Sequence, residues 1–207
     1  MSSFWQGVIA GYGIAIPVGA IAILIVDQAL RRGFRMGFAA GAGAASADLL
    51  YAALAVVAGA ALAAALRPLA GPLGIMGGLV LIGLGLTNLW RSRSRGTPDV
   101  QRGDARTRVR VYLQFLGLTL LNPLTIVYFA ALVLGGSLES GWSMADGALF
   151  VLGAGVASLS WQSVLAGIGA QLGKRLSPRA RLATVVAGNL VVVALGVRIL
   201  WRVMGAG

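Results

Sequence analysis

The sequence predicts an all-α integral membrane protein. It has six transmembrane helices in two inverted-topology three-helix repeats, with helices broken or kinked at Pro17 and Pro123. Three observations lead there. Of 207 residues, 58% are hydrophobic and 11% are charged, against about 25% charged in a soluble domain. The apolar residues fall into six blocks, and a helix needs about 20 of them to cross a bilayer. The two halves of the chain also resemble each other. With a mean hydropathy of +0.86, a soluble globular domain, a disordered tail and a coiled coil are excluded.

The apolar blocks lie at about 4–28, 37–63, 71–91, 111–135, 146–171 and 181–203. The chain reads as one transporter domain, with repeat one at about 4–91, an Arg-rich linker at 92–110 and repeat two at about 111–203. The start has no basic stretch and no cleavage site, so the first block reads as a span and not as a signal peptide. Trp5, Trp90, Trp142 and Trp201 lie near span ends, as an aromatic belt requires, whereas Trp161 lies in mid-span.

The net charge is +11. Such a balance raises nucleic acid as a partner, but in so apolar a chain the distribution of charge across the membrane is what counts. Fourteen Lys and Arg residues fall in or beside the first, third and fifth connections, and Arg67, Arg198 and Arg202 fall on the other side. Short basic loops stay in the cytoplasm. This predicts a membrane protein with cytoplasmic basic loops and both termini outside. The 92–110 linker reads as a topology anchor. There is no Cys and no His, and the acids are five Asp and one Glu. Disulfides, thiolate or imidazole metal sites and imidazole bases are therefore absent, no cofactor is expected, and an enzyme is poorly equipped.

The repeat rests on three collinear matches. GLVLIGLGLTNLWR at 78–91 and NLVVVALGVRILWR at 189–202 share seven of fourteen residues, at an offset of 111. GAGAAS at 41–46 matches GAGVAS at 153–158, at an offset of 112. Gly11 precedes Pro17 as Gly117 precedes Pro123. Three spans per unit is an odd number, so the second unit enters the membrane in the opposite sense. Many secondary transporters are built this way, with the site near the midplane between repeats.

Polar residues converge on that depth. Pro17 lies roughly 18–20 Å into the first span and Asp48 about 16 Å into the second, at the helical rise per residue. Asn122-Pro123 and Ser160-Trp161 sit mid-span in the fourth and fifth, and the offset of 112 makes Ser160 the counterpart of Asp48. Proline removes a backbone donor and breaks or kinks a helix. In mid-membrane the freed backbone must line a cavity or be buried in protein. The half-helix after each break points its positive N-terminus into that cavity, where a carboxylate binds well. Gly19 leaves room for close approach. Asn122 and Thr125 contact a ligand or satisfy freed backbone groups.

An ionised Asp at a helix centre costs about 2.5–3.5 kcal/mol to insert, and such residues mark ion pathways, proton relays or ligand sites. Asp48 therefore leads the candidates for substrate and proton binding. The competing role is a hydrogen-bond hub with Tyr51 or Ser46. Asp27 stands four residues before Arg31 and reads as an interfacial i,i+4 pair. Asp146 and Glu139 read as solvated residues at the outer edge. Trp161 closes the cavity or packs. Gln114 and Gln162 read as helix-contact residues. The glycine-rich faces serve internal packing or a homo-oligomer.

PVGAIAILIVDQALRRGFRMGFAAGAGAASADLLY at 17–51 resembles the lysine-exporter (LysE) family of amino-acid exporters. It is similar to that family's Pro-Ile/Val-Gly-Pro break, basic-Gly loop and Gly-x-Ala-x-Ala-Asp-x-x-Tyr pattern. FLGLTLLNPLTIVYFAAL at 115–132 and GAGVASLSW at 153–161 are similar to its other motifs. Ala20 stands where many members have a second proline, which implies a softer first break. The resemblance implies a proton-driven inner-membrane exporter of amino acids, basic or small and neutral. Its motif positions here are Pro17, Gly19, Asp48, Asn122, Pro123 and Trp161. An exporter of a metal, another inorganic ion or a small metabolite on the same scaffold is the alternative. A membrane enzyme or assembly factor is a third.

Overall fold

A computed structural model describes residues 2–16, 19–66, 70–94, 105–122, 125, 128, 129 and 142–205. These residues form seven helices: α1 (Ser3–Ala15), α2 (Ala20–Arg32), α3 (Phe34–Leu66), α4 (Ala70–Ser94), α5 (Ala105–Leu120), α6 (Met144–Arg175) and α7 (Pro178–Gly205). Phe34–Val57, Met144–Arg175 and Leu182–Trp201 are each long and apolar enough to cross a membrane. A fourth such span results if α1 and α2, bent by 80° at their junction, count as one.

The first predicted span is interrupted where proline was expected to interrupt it. α1 stops at Ala15 and α2 begins at Ala20. Pro17 itself lies outside the described residues. Gly19 takes an extended conformation as the N-cap of α2. At its other end α2 stops on Gly33, with φ 85° and ψ 174°, a region essentially reserved for glycine. α5 likewise ends at Leu120, just before Asn122, and Pro123 also lies outside the described residues.

The other helices extend past the apolar blocks by several residues. Hydropathy marks where lipid begins, whereas a helix continues until its backbone is capped. α6 starts at Met144 through a capping box: the Ser143 hydroxyl accepts from the Asp146 amide at 3.2 Å, and the Asp146 carboxylate accepts from the Ser143 amide at 3.1 Å. Asp146 also accepts from Ser3 Oγ at 2.9 Å. It is therefore a structural cap that ties α1 to α6, not the merely solvated acid the sequence suggested.

α6 lies at the centre, packed on α1, α2 and α3. α5 packs on α3. α4 and α7 pair with each other, and α2 is the helix that joins this pair most extensively to the rest. Glycine sets the closest approaches. A Cβ on Gly153 would overlap the Phe4 carbonyl and approach the Val8 amide across the α1/α6 seam. A Cβ on Gly43 would do the same to the Tyr112 carbonyl and the Leu116 amide across the α3/α5 seam. Of the four predicted belt residues, Trp5, Trp90 and Trp201 face outward, more than half exposed, whereas Trp142 packs against Phe150.

The buried apolar residues form two clusters. One gathers Ala22, Ile25 and Ala29 of α2 with Met36, Ala40 and Ala44 of α3 and Leu165 and Ala166 of α6. The other gathers Ala10, Tyr51, Ala52, Ala55, Phe129, Phe150 and Ala154.

Gly43→Val and Gly153→Val are each expected to destabilise the protein by about 1–3 kcal/mol, because a helix must move out. At Gly167 a Cβ meets nothing within 4 Å. Gly167→Ala should be neutral or stabilising by up to about 1 kcal/mol. Thermal melting of the detergent-solubilised protein checks all three.

Candidate functional site

The gap between the two apolar clusters holds a buried polar pair. On α3, cluster residues run up to Ala44 and resume at Tyr51. On α6 they run up to Ala154 and resume beyond Ser158, with Trp161 and Leu165. Asp48 and Ser158 fall in the two gaps, and they meet. Ser158 Oγ donates to Asp48 Oδ2 at 2.6 Å. Asp48 is 4% exposed and Ser158 is fully buried. Among the described residues no Lys or Arg pairs with Asp48.

Neither hub partner expected from the sequence bonds to Asp48. Ser46 accepts from Tyr112 at 2.9 Å. The Tyr51 hydroxyl donates to the Leu120 carbonyl at 2.7 Å. That carbonyl is one of the last four of α5, which have no intrahelical partner. Asn122 takes a share of the same work through its backbone: its amide bonds to the Thr119 carbonyl at 3.1 Å, and its carbonyl accepts from the Thr125 amide at 3.1 Å. Thr125 is 2% exposed. The break before Pro123 is thus closed by backbone turns and by a tyrosine from α3.

Ser160, the counterpart of Asp48 under the sequence offset of 112, lies elsewhere. It donates to the Ala157 carbonyl at 2.8 Å and accepts from Tyr12 at 2.9 Å. Tyr128 donates to the Ala10 carbonyl at 2.8 Å and meets Phe129 edge-on, while Phe129 stacks on Tyr51. The phenols of Tyr51 and Tyr128 lie within electrostatic range of Asp48. All four tyrosines of the chain bond across a helix seam in this layer.

Of the predicted site residues, Asp48 sits where α3 meets α6, and Asn122 and Thr125 form the turn that follows α5. Gly19 stands at the head of α2, where a Cβ would meet nothing within 4 Å. Trp161 packs against the cluster that contains Ala20 and Ala22 of α2. Its indole Nε1 is buried and has no hydrogen-bond partner among the described residues, and the same holds for Thr119 Oγ1 and Gln162 Oε1. Gln162 is one helical turn from Ser158 on the same face, against Gly41. Pro17 and Pro123 lie outside the described residues. Sequence reasoning passed over Ser158, Thr119, Tyr12, Tyr112 and Tyr128, and it read Gln162 as a helix-contact residue, which its packing against Gly41 bears out. The available signal for Ser158 was its place at the end of the repeated Gly-Ala-Gly motif.

A family model, LysE type translocator, matches residues 13–202. The chain belongs to the LysE type translocator family. It is accordingly a membrane translocator of a small-molecule substrate, and members of this family are transporters rather than enzymes. No curated protein and no solved structure matches the chain significantly.

Tyr51→Phe leaves the Leu120 carbonyl without its side-chain partner, and Ser158→Ala does the same to Asp48. Each is expected to cost about 0.5–1.5 kcal/mol. Ser163→Ala, which removes an exposed bond to the Leu159 carbonyl, should cost close to nothing. Equilibrium unfolding in mixed micelles measures the difference.

Proposed function

We propose that this LysE translocator exports amino acids across the bacterial inner membrane in exchange for protons, with Asp48 as the shared substrate and proton site. It does so from six spans in two inverted repeats, with both termini outside. The observation that carries the reading is the contact between Asp48 and Ser158. Gly43 and Gly153 occupy equivalent seats on their partner helices, each against a carbonyl and the amide four residues on. That equivalence moves the offset on these helices from 112 to 110. Asp48 and Ser158 then become each other's counterparts, and two counterparts in contact straddle the axis that relates the repeats.

The α4/α7 seam supports the same symmetry. A Cβ on Gly78 would lie 3.1 Å from the Gly196 carbonyl, and one on Gly85 would lie 3.1 Å from the Asn189 carbonyl. The offset of 111 interchanges these two contacts. Helix pairing obeys it as well, since α1 on α6 maps to α5 on α3. A carboxyl on the axis of two inverted repeats occupies the place where secondary transporters bind substrate and coupling ion.

A zwitterion fits the parts. Its ammonium group pairs with Asp48, which has no cation of its own among the described residues. Its carboxylate goes to the head of α2, whose first-turn amides have no side-chain cap. Protonation of Asp48 from the outside then competes with the ammonium and releases the substrate. The reading of a metal-ion or metabolite exporter draws on the same scaffold, but a chain without His or Cys lacks the ligands that soft metals prefer.

The test is efflux from a bacterial host that lacks its own amino-acid exporters, loaded with dipeptides, with every external amino acid followed by mass spectrometry. Wild type should release a restricted set of amino acids. Asp48→Asn, at matched membrane expression, should lower that flux by about a hundredfold, as loss of a charged partner does. Equal flux in the two would remove Asp48 from the mechanism. Efflux of metal ions or other metabolites in place of amino acids would move the substrate to the other class.

A further inference from the structure

A second polar cluster lies away from the Asp48 layer. Asp27 on α2 is 8% exposed and accepts from Arg31 Nε at 2.9 Å, with the Arg31 side chain 12% exposed. The sequence suggested an interfacial pair. In the structure the pair is almost dry, because α7 covers it. The Asn189 side chain of α7 lies within hydrogen-bonding reach of the Asp27 carboxylate. Asn189 is 1% exposed; its Nδ2 also donates to the Val185 carbonyl at 2.9 Å, and its Oδ1 accepts from Asn88 Nδ2 of α4 at 3.2 Å. A hydrogen bond thus joins α4 to α7, and the Asn189 amide brings α7 within reach of the carboxylate on α2.

The location gives this cluster its meaning. α2 is the helix that joins the α4/α7 pair most extensively to the other helices. Glycines stand at both of its ends, uncrowded Gly19 and Gly33 in its glycine-only conformation. The cluster lies near the basic end of α2, beside Arg31 and Arg32. It is also one-sided. Under the offset of 111 the counterparts of Asn189 and Asn88 are Gly78 and Ile199, which carry no polar side chain. Two inverted repeats would make both ends of the path alike, and this cluster makes them differ. Hydrogen bonds between membrane helices are individually weak, so such a link can close a seam and still open.

We propose that Asp27, Asn189 and Asn88 form a latch that closes the basic end of the transport path, and that substrate enters only when α2 parts from α7. The proposal rests on the two-repeat transporter reading and adds gating residues to it. Arg31 orients the Asp27 carboxylate toward the seam. With the basic loops cytoplasmic, the latch guards the side from which an exporter loads.

The absence of cysteine makes the test clean. A Cβ on Gly188 would lie 3.2 Å from Ile23 Cγ2, so Ile23→Cys and Gly188→Cys face each other across the seam, close to the upper end of the roughly 3.5–4.5 Å Cβ separation of a disulfide. The reduced pair should export. The oxidised pair should lose at least about tenfold in flux and regain it on reduction, because one state is withdrawn from the cycle. Undiminished flux with the disulfide formed would overturn the latch. Maleimide labelling of the single variant Ile23→Cys needs no substrate. Adding Asn189→Leu should speed labelling by about tenfold, by shifting the seam toward open, whereas an unchanged rate would count against the latch. If wild type exports no amino acid, the substrate reading fails, and the labelling comparison still decides the latch.

Discussion

A helix that breaks inside a membrane must find partners for the backbone groups it frees, because lipid offers none. The architecture around Asp48 follows from that constraint. α5 ends at Leu120, and the carbonyl left over is taken by Tyr51 of α3. The next carbonyls and amides close on themselves around Asn122 and Thr125. A tyrosine one turn beyond Asp48 therefore serves the break on another helix.

Close helix contact is the second requirement, and glycine meets it. Where α1 meets α6 and where α3 meets α5, Gly153 and Gly43 let one backbone rest on the next. Polar side chains can then reach across a seam with short arms. A serine hydroxyl reaches a carboxyl, and a tyrosine reaches a carbonyl, without displacing the apolar clusters above and below. The result is a thin polar layer between two dry cores. Its members are few, and nearly all of them bond to a different helix. The same logic governs the second cluster, where Gly85 lies against the Asn189 carbonyl and α4 comes close enough for Asn88 to bond Asn189.

Polar residues in this chain differ in what the sequence could say about them. Asp48 was legible, because an acid in the middle of an apolar block has no ordinary reason to be there. The helix interruption before Ala20 was legible from proline and glycine. The i,i+4 pair of Asp27 with Arg31 was legible, whereas its burial under α7, some 160 residues away in sequence, was not. Asp146 was read as solvated, which left out that it also caps α6 and accepts from a serine of α1. Ser158 was passed over for Ser160, two residues on, because the repeat was aligned on identical letters. In the structure it is Ser158 that meets Asp48.

The sequence by itself determined the helical class, the apolar blocks, the membership in a transporter family and the one acid most exposed to suspicion. These depend on composition and on periodicity within a single helix, which neighbours in the chain settle among themselves. Tertiary structure alone decided which serine meets Asp48, which tyrosine serves the break at Leu120, and that Asp27, Asn88 and Asn189 form one cluster. Those pairings join residues about 70 to 160 positions apart. They depend on how far one helix slides or turns against another. A shift of one residue turns a helical side chain by about 100°, and no local pattern in the chain records that choice.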